Sequence, residues 1–243
     1  MGILRTKTIE PATGSTLTLG ASGDTITVSS DSIKTNTFKD AGGNTLFTSD
    51  GAGTLSSVNS AFVPGGPILI STSTASNASS VDITSGIDST YDEYMFVLTD
   101  INPVAAQSNF GFQVNASGQS GFNEVITSSA FGAYHRENDA STSLGYNTGG
   151  DQAQGTAMQQ LMPNLGADTD ESGACILHLF NPSSTTFVTH FYSTATWCND
   201  DDPNYAWQFF VSGYINVTAA ITEIRFLHSS GNFDGTIQMY GIK

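Results

Sequence analysis

Apolar residues are spaced thinly in the first quarter of the chain. The stretch 14–28, GSTLTLGASGDTITV, holds two short bursts of alternation on either side of a glycine-rich turn. The spacing of nine residues from Leu17 to Ile26 recurs from Leu46 to Leu55. Period-two alternation is typical of half-buried β-strands. Residues 1–60 include only 13 Leu, Ile, Val or Phe, too few for a core of their own.

Longer alternating segments begin after residue 67. Strands are predicted where aromatic and β-branched residues alternate with polar ones between Gly, Pro, Asn or Ser. A helix is predicted only around 153–161. The number and spacing of the strands favour an all-β fold, a jelly-roll-like antiparallel β-sandwich. The predicted strands are 68–72, 79–84, 93–101, 109–117, 123–136, 157–162, 174–180, 185–197, 206–216, 221–230 and 235–243.

A Pro-Gly-Gly-Pro turn at 64–67 separates the two patterns. Such a turn continues neither a helix nor a strand ladder, so a domain boundary is predicted there, with domains 1–62 and 63–243. The first domain is either a flexible linker or an extended β-stalk whose sparse apolar positions meet those of other copies. The regular alternation favours the stalk. We therefore expect a homo-oligomer, with a trimer as the usual arrangement for such a stalk.

The charge balance removes several classes of function. Seven Lys and Arg stand against 22 Asp and Glu, a net charge of −15. Nucleic acid is bound mainly through Lys and Arg, so it is not an expected partner. The first 20 residues lack the apolar core of a secretory signal, and no run approaches the ~18 apolar residues that span a membrane. We expect synthesis in the cytoplasm without membrane insertion.

The two cysteines lie around a predicted hairpin with its turn at 181–184. If Ser183 and Ser184 form the loop, Cys175 lies opposite Tyr192. Cys198 would then lie six positions along, roughly 20 Å away at ~3.3 Å per residue. A disulfide needs Cα atoms within about 7 Å, so the two thiols are expected not to bond.

Two groups of segments carry a resemblance. The segment 33–59, IKTNTFKDAGGNTLFTSDGAGTLSSVN, resembles stalk segments of structural proteins from phages of marine bacteria. The segments 89–104 and 211–243, with an aromatic-rich strand, an N-x-x-P turn and a closing G-x-I-x-x-Y-G strand, resemble the β-sandwich heads of the same class. The resemblance implies a virion appendage, either a tail fibre, a spike or a head fibre. It implies no catalytic residues.

The segment WCNDDDPNYAW (197–207) is the strongest candidate site. Aromatic faces stack on sugars and carboxylates bind their hydroxyls or Ca²⁺, so Trp197, Asp200, Asp202, Tyr205 and Trp207 are predicted to contact a ligand. A neutral glycan or a cell-surface protein fits the acidic charge. The alternative is a solvated acidic turn between core strands, since three consecutive Asp lack the alternate spacing of a Ca²⁺ loop.

Two further charged segments have simpler interpretations. In YHREND (134–139), His135 and Arg136 are expected on opposite faces of a strand, which favours a solvated strand end over a catalytic pair. In ADTDES (167–172), the acidic residues form either a weak Ca²⁺ candidate or a solvated turn, and the turn is favoured. His178 and His190 lack the further ligands that a metal site would need.

The sequence carries no nucleophile, P-loop or zinc-protease motif. Together with the resemblance to phage appendage proteins, this implies a non-enzymatic virion protein. Its N-terminal segment would attach to other virion proteins, and its head would contact the host surface. The alternative is a capsid head fibre or decoration protein. A polysaccharide-degrading enzyme is a third alternative, with its carboxylate pair hidden among the acidic residues.

Overall fold

The structure is a computed structural model that describes residues 35–40, 42–52, 55–58, 66–105, 107–199 and 205–243. The chain divides into two units, residues 1–63 and 64–243. Every regular element of the described residues is a β-strand, and all the strand pairs are antiparallel. The predicted all-β class is confirmed. None of these residues forms a helix that could cross a membrane.

The N-terminal unit contains a three-stranded sheet. Its strands are β1 (Thr37–Lys39), β2 (Thr45–Ser49) and β3 (Leu55–Val58). Phe38, Phe47 and Val58 are cross-strand neighbours, and the two phenylalanine rings lie 4.5 Å apart. No side chain whose exposure the structure describes in this sheet is buried. The sheet therefore presents an apolar row that its own strands leave open.

The C-terminal unit contains two sheets. The small sheet has the order β10-β7-β14-β5, and the large sheet has the order β4-β15-β6-β11-β12-β13-β8-β9. The strands are β4 (Ile68–Ala78), β5 (Ser80–Ile83), β6 (Glu93–Pro103), β7 (Ser108–Ala116), β8 (Ile126–Arg136), β9 (Thr142–Tyr146), β10 (Gln159–Leu165), β11 (Gly173–Phe180), β12 (Thr189–Cys198), β13 (Tyr205–Ile215), β14 (Ile221–His228) and β15 (Phe233–Ile242).

The two sheets pack face to face around a core rich in phenylalanine. Successive side chains of a strand point to opposite faces, so strands such as β6, β11 and β12 give every second residue to the core. Rings from the two sheets meet there: Phe96 and Phe226 lie 5.5 Å apart, and Phe112 and Phe191 lie 5.2 Å apart. Burying a large apolar side chain contributes about 1.5–3 kcal/mol, so this shared layer holds the sandwich together.

Two predictions about local structure are wrong. The predicted helix at 153–161 is absent: residues 153–158 form no regular element, and Gln159 begins β10. The strand β9 was not predicted at all. It lies at the edge of the large sheet, where each of its five residues is exposed.

The β11–β12 hairpin exists, but its predicted register is three residues off. Cys175 lies opposite Ala195, and His178 lies opposite Tyr192, because the connection is longer than two residues. Within it, the Ser184 hydroxyl oxygen accepts hydrogen bonds from the backbone N–H groups of Thr186 and Phe187. The cysteines form no disulfide, as predicted. Cys175 is buried between the sheets, whereas Cys198 is half-buried on the opposite face.

Candidate binding surface

The predicted ligand-binding residue Trp197 is a core residue. It is only 4 % exposed, and its ring lies parallel to that of Trp207 at 5.8 Å. The Phe209 ring meets Trp197 edge-on at 6.0 Å. Alternation in β12 and β13 points these three side chains into the sandwich. Trp197 therefore has no open face on which a sugar could stack.

Tyr205 and Trp207 extend the aromatic cluster toward the end of β13. Both are half-buried, and Tyr134 packs against them at ring distances of 4.9 and 5.0 Å. The Arg136 guanidinium lies over the Tyr205 ring, 4.7 Å from its centre. Asp200 and Asp202, the other predicted contacts, lie outside the described residues. The structure thus brings the three predicted aromatic residues together on the inner face of the sheet.

The acidic segments of the described residues do not form a cation site. No group of three or more His, Cys, Asp or Glu side chains is arranged to hold a metal within the described parts of the chain. In the 167–172 segment, Glu171 is buried and accepts a hydrogen bond from the backbone N–H of Asp168 at 2.9 Å. Its carboxylate therefore holds the turn together.

His135 and Arg136 point to opposite faces, as predicted for a strand end. The exposed His135 Nε2 lies 3.0 Å from the Asp139 carboxylate on the outside. Arg136 packs on the aromatic cluster inside. Because the two side chains lie on different faces of the sheet, they cannot act on one substrate. This supports the interpretation of the segment as a strand end over that of a catalytic pair.

The outer face of the large sheet has a composition that the sequence did not suggest. We define this outer face by three rows of outward side chains that cross the strands as direct neighbours, except at the register irregularity between Thr99 and Ala174, which line the same depression. The first row is Leu69, Tyr240, Met95, His178, Tyr192, Ser212 and Ser129; the second is Thr72, Gln238, Val97, Ile176, Thr194, Phe210, Phe131 and Tyr146; the third is Thr74, Thr236, Thr99, Ala174, Thr196, Gln208, Ala133 and Leu144.

These three rows contain no Asp, Glu, Lys or Arg. Most of the exposed large hydrophobic side chains described between 66 and 243 lie on this face, Val104 and Phe187 being the others. Contiguous apolar patches of this kind mark sites of interaction. The exposed hydrophobic residues of the outer face are Leu69, Phe131, Leu144, Tyr146, Ile176 and Tyr192.

Aromatic contacts order two parts of the outer face. In the first row, the His178 ring stacks on Tyr192 at 4.5 Å, and a hydrogen bond to Glu93 at the margin of the face holds the imidazole. In the second row, the Phe131 and Phe210 rings are stacked, with centroids 5.0 Å and ring planes 16° apart. The two rings therefore overlap and form one apolar cluster, in which Phe131 is the more exposed ring.

Tyr146 continues the second row onto the edge strand. It is the cross-strand neighbour of Phe131, and its hydroxyl donates a hydrogen bond to the Asp151 carboxylate at 2.5 Å. This hydrogen bond raises the pKa of Tyr146 above its ordinary value, since ionised Tyr146 would lose it and repel Asp151. The phenol is thereby kept neutral, with the ring 59 % exposed.

A groove follows the third row. Three shallow depressions of about 420, 320 and 500 Å³ adjoin one another there, and Thr196 lines all three. Ala174, Thr196 and Ala133 are small, so the larger side chains of the second row form a wall beside them. The carboxylates of Asp100 and Glu137 stand at the opposite rim, where they line one of the depressions.

The groove combines flat apolar surface with uncharged polar groups. Val97 and Ile176 line the apolar wall, and Phe131 and Phe210 continue the same row beside Ala133 and Gln208. The exposed Gln208 amide and Thr196 hydroxyl offer both donors and acceptors. Ligand sites commonly pair aromatic surface with a few polar groups that fix orientation. This arrangement can bind an uncharged ligand that has one apolar side and several hydroxyl or amide groups.

Sequence reasoning missed the residues of this surface. Each lies in a predicted strand except Thr74 and those of β9, but the strands were assigned only an inside and an outside. A signal was available in β12 and β13, where HFYSTATW and FFVS place large apolar residues at consecutive positions. Such runs put an apolar side chain on each face of the sheet.

Comparison with known protein families, with curated proteins and with solved structures finds no match to this chain.

Proposed function

We propose that this chain is a non-enzymatic structural appendage of a phage virion. In this proposal residues 1–62 form an oligomeric stalk that attaches to other virion proteins, and residues 63–243 form a head that contacts the host surface. The main observation in support of this proposal is the composition of the outer face of the large sheet. A head with a net charge of −14, from three basic and 17 acidic residues, leaves one broad face without carboxylates, which fits a contact surface.

The N-terminal sheet supports the oligomeric stalk. None of Phe38, Phe47 and Val58 is buried among the residues that the structure describes, and Val58 and Leu55 are exposed. A three-stranded sheet needs a covered hydrophobic face to be stable. Association of several copies, as a homotrimer in our proposal, would bury these apolar rows against each other.

The chain path supports a jelly-roll-like head. Successive strands repeatedly change sheets: β5 lies in the small sheet, β6 in the large one, β7 in the small one and β8 in the large one. The chain crosses again at β10 and β14. Such alternation between two packed sheets is what a double-sheet jelly roll requires.

Electron microscopy of the virions that carry this chain tests the proposal. Gold-labelled antibodies raised against residues 64–243 should mark appendages at the tail. Light scattering of the purified full-length chain should give the mass of a homo-oligomer, with a trimer expected. Label spread over the capsid would replace the tail appendage with a capsid head fibre or decoration protein. Purified virions without label, or a monomeric full-length chain, would contradict the proposal.

A further inference from the structure

We infer that the groove on the outer face of the large sheet binds a neutral glycan chain that lies across the strands. This inference rests on the proposed function, since it names the chemical class that the head would contact. It replaces the contact surface predicted at 197–207, where Trp197 is a core residue.

The shape of the groove fits a linear ligand. Its floor runs from Thr99 in β6 through Ala174, Thr196 and Gln208 to Ala133 in β8, which crosses five neighbouring strands. At ~4.8 Å between strands, the floor is about 19 Å long. A ligand of that length is an oligosaccharide chain, because a single sugar would occupy only part of the floor.

The charge of the groove selects a neutral ligand. No Lys or Arg lies in the three rows, and the carboxylates of Asp100 and Glu137 stand at the rim. A sulfated, phosphorylated or carboxylated glycan would find no Lys or Arg in these rows and would be repelled by the rim. His135 lines one of the depressions, but its imidazole is already paired with Asp139. A basic peptide would meet carboxylates at one rim only. The floor and the wall are uncharged and offer its Lys or Arg side chains no ion-pair partner, so a basic peptide fits the groove less well.

The lining matches the two-sided chemistry of a pyranose ring. The apolar C–H face of a sugar can pack on the exposed ring of Phe131, which Phe210 supports by stacking, with exposed Tyr146 at the end of the same row. The sugar hydroxyls can exchange hydrogen bonds with the Gln208 amide and the Thr196 hydroxyl. Gln208 belongs to two of the three depressions and Thr196 to all three, so both stand where the chain would pass.

A second copy of the chain fits the groove less well. A flat sheet laid across it would rest on the protruding rings and cover Thr196 and Gln208 without filling the space above them. Covered polar groups without partners cost free energy. A glycan satisfies these groups with its own hydroxyls, and for this reason we assign the groove to the glycan.

Affinity gel electrophoresis of the full-length chain tests the inference. The native gels contain dextran, yeast mannan or laminarin as neutral probes, and alginate or heparin as anionic ones. We expect at least one neutral polysaccharide to retard the chain and neither anionic one to do so. Phe131→Ser and Gln208→Ala should each weaken that retardation at least tenfold. The matched controls Leu227→Ser and Gln113→Ala, on the outside of the small sheet, should leave it unchanged.

The other outcomes distinguish a failure of the glycan inference from a failure of the proposed function. Gels in which no neutral polysaccharide retards the chain overturn the inference, as does retardation that Phe131→Ser and Gln208→Ala leave intact. If Phe131→Ser instead lowers the oligomer mass in light scattering, a second copy occupies the face. Labelled virion appendages without polysaccharide binding would overturn the glycan alone. Polysaccharide binding with unlabelled virions would overturn the proposed function and leave the groove standing.

Discussion

The small and large sheets of the C-terminal unit turn different surfaces outward. Outside the small sheet stand Gln113, Asn115 and Glu223, together with Arg225, which forms a two-point ion pair with Asp82 at 2.8 and 2.6 Å. Outside the large sheet stand three rows without Asp, Glu, Lys or Arg, and aromatic rings stack along them. Both sheets turn phenylalanine inward.

This difference separates what folding requires from what contact requires. The inner faces are alike because both must fill the same core. The outer side chains add little to folding, so their composition reflects what they meet. Charged and amide groups on the small sheet suit water. A rigid sheet that exposes stacked rings and hydroxyls to the same solvent is suited to a ligand.

The largest expected effect comes from a substitution in the phenylalanine core that the two sheets share. Phe226→Ala removes a ring that packs against Phe96 of the large sheet and should cost about 3–5 kcal/mol of unfolding free energy. The adjacent Leu227→Ala, on the outside of the small sheet, should cost less than about 1 kcal/mol. Urea unfolding followed by far-ultraviolet circular dichroism measures both. Similar losses at the two positions would mean that the inner and outer faces are misassigned.

A pH effect is expected from His228 on the inner side of β14. The Ser108 hydroxyl donates to the Ala105 carbonyl at 2.6 Å, so its oxygen accepts from His228 Nδ1, 2.8 Å away. Nε2 is buried without a partner among the described residues, and burial lowers the pKa of His228 from 6.5. The unfolded chain therefore binds the proton more tightly, and this contribution to stability is lost as the pH falls below 6.5.

Urea midpoints between pH 7.5 and 5 measure this effect. His228→Gln should flatten the fall in the midpoint, whereas His135→Gln, at an exposed strand end, should leave the fall as it is in the unmodified chain. A fall that His228→Gln does not reduce would assign the acid sensitivity to other groups.

A smaller effect is expected from the ion pair outside the small sheet. Asp82→Asn should cost about 0.2–1 kcal/mol, because both partners are about a third exposed and water screens the pair. The Arg225 hydrogen bonds lower the pKa of Asp82 from 3.8. The contribution is thus complete above pH 3.8 and is lost as the pH falls through the lower value of the folded state. In thermal unfolding, the difference between variant and unmodified chain should be largest at pH 7 and should shrink as the pH is lowered below 3.8.

The smallest effect is expected on the outer face of the large sheet. Leu144→Ser replaces a side chain that is 75 % exposed and should change the unfolding free energy by no more than about 0.5 kcal/mol. The same urea assay measures it. A loss above 2 kcal/mol would show that Leu144 supports the fold and would remove it from the proposed contact surface.

Much of the fold follows from alternation alone. The segments that became β6, β7, β11, β12 and β14 alternate clearly, because each has one face in the core. The hairpin register did not follow, since Ser184 organises a connection longer than the assumed two-residue loop. Asn181 also adopts a positive φ of 45° there. Asn tolerates that conformation, but its presence in the sequence does not fix the length of the connection.

The candidate surface could not be predicted in the same way. Phe131, Phe210 and Tyr146 come from three strands, and only the sheet order makes them neighbours. Alternation tells which residues of a strand share a face, but not which strands lie side by side or which face meets the second sheet. The Trp and Asp residues of 197–207 drew attention because they are close in sequence. Trp197 is in the core, where a large apolar ring contributes most.

The stacked Trp197 and Trp207 also determine what spectroscopy can observe. They are the two tryptophans of the chain, and both lie on the β12–β13 pair. Tryptophan emission therefore reports on one end of one sheet. The N-terminal unit contains no tryptophan and has no such emission of its own. Parallel indoles 5.8 Å apart also couple their excited states. The near-ultraviolet circular dichroism of this pair therefore depends on the distance between the two rings, and it reports whether β12 and β13 remain paired.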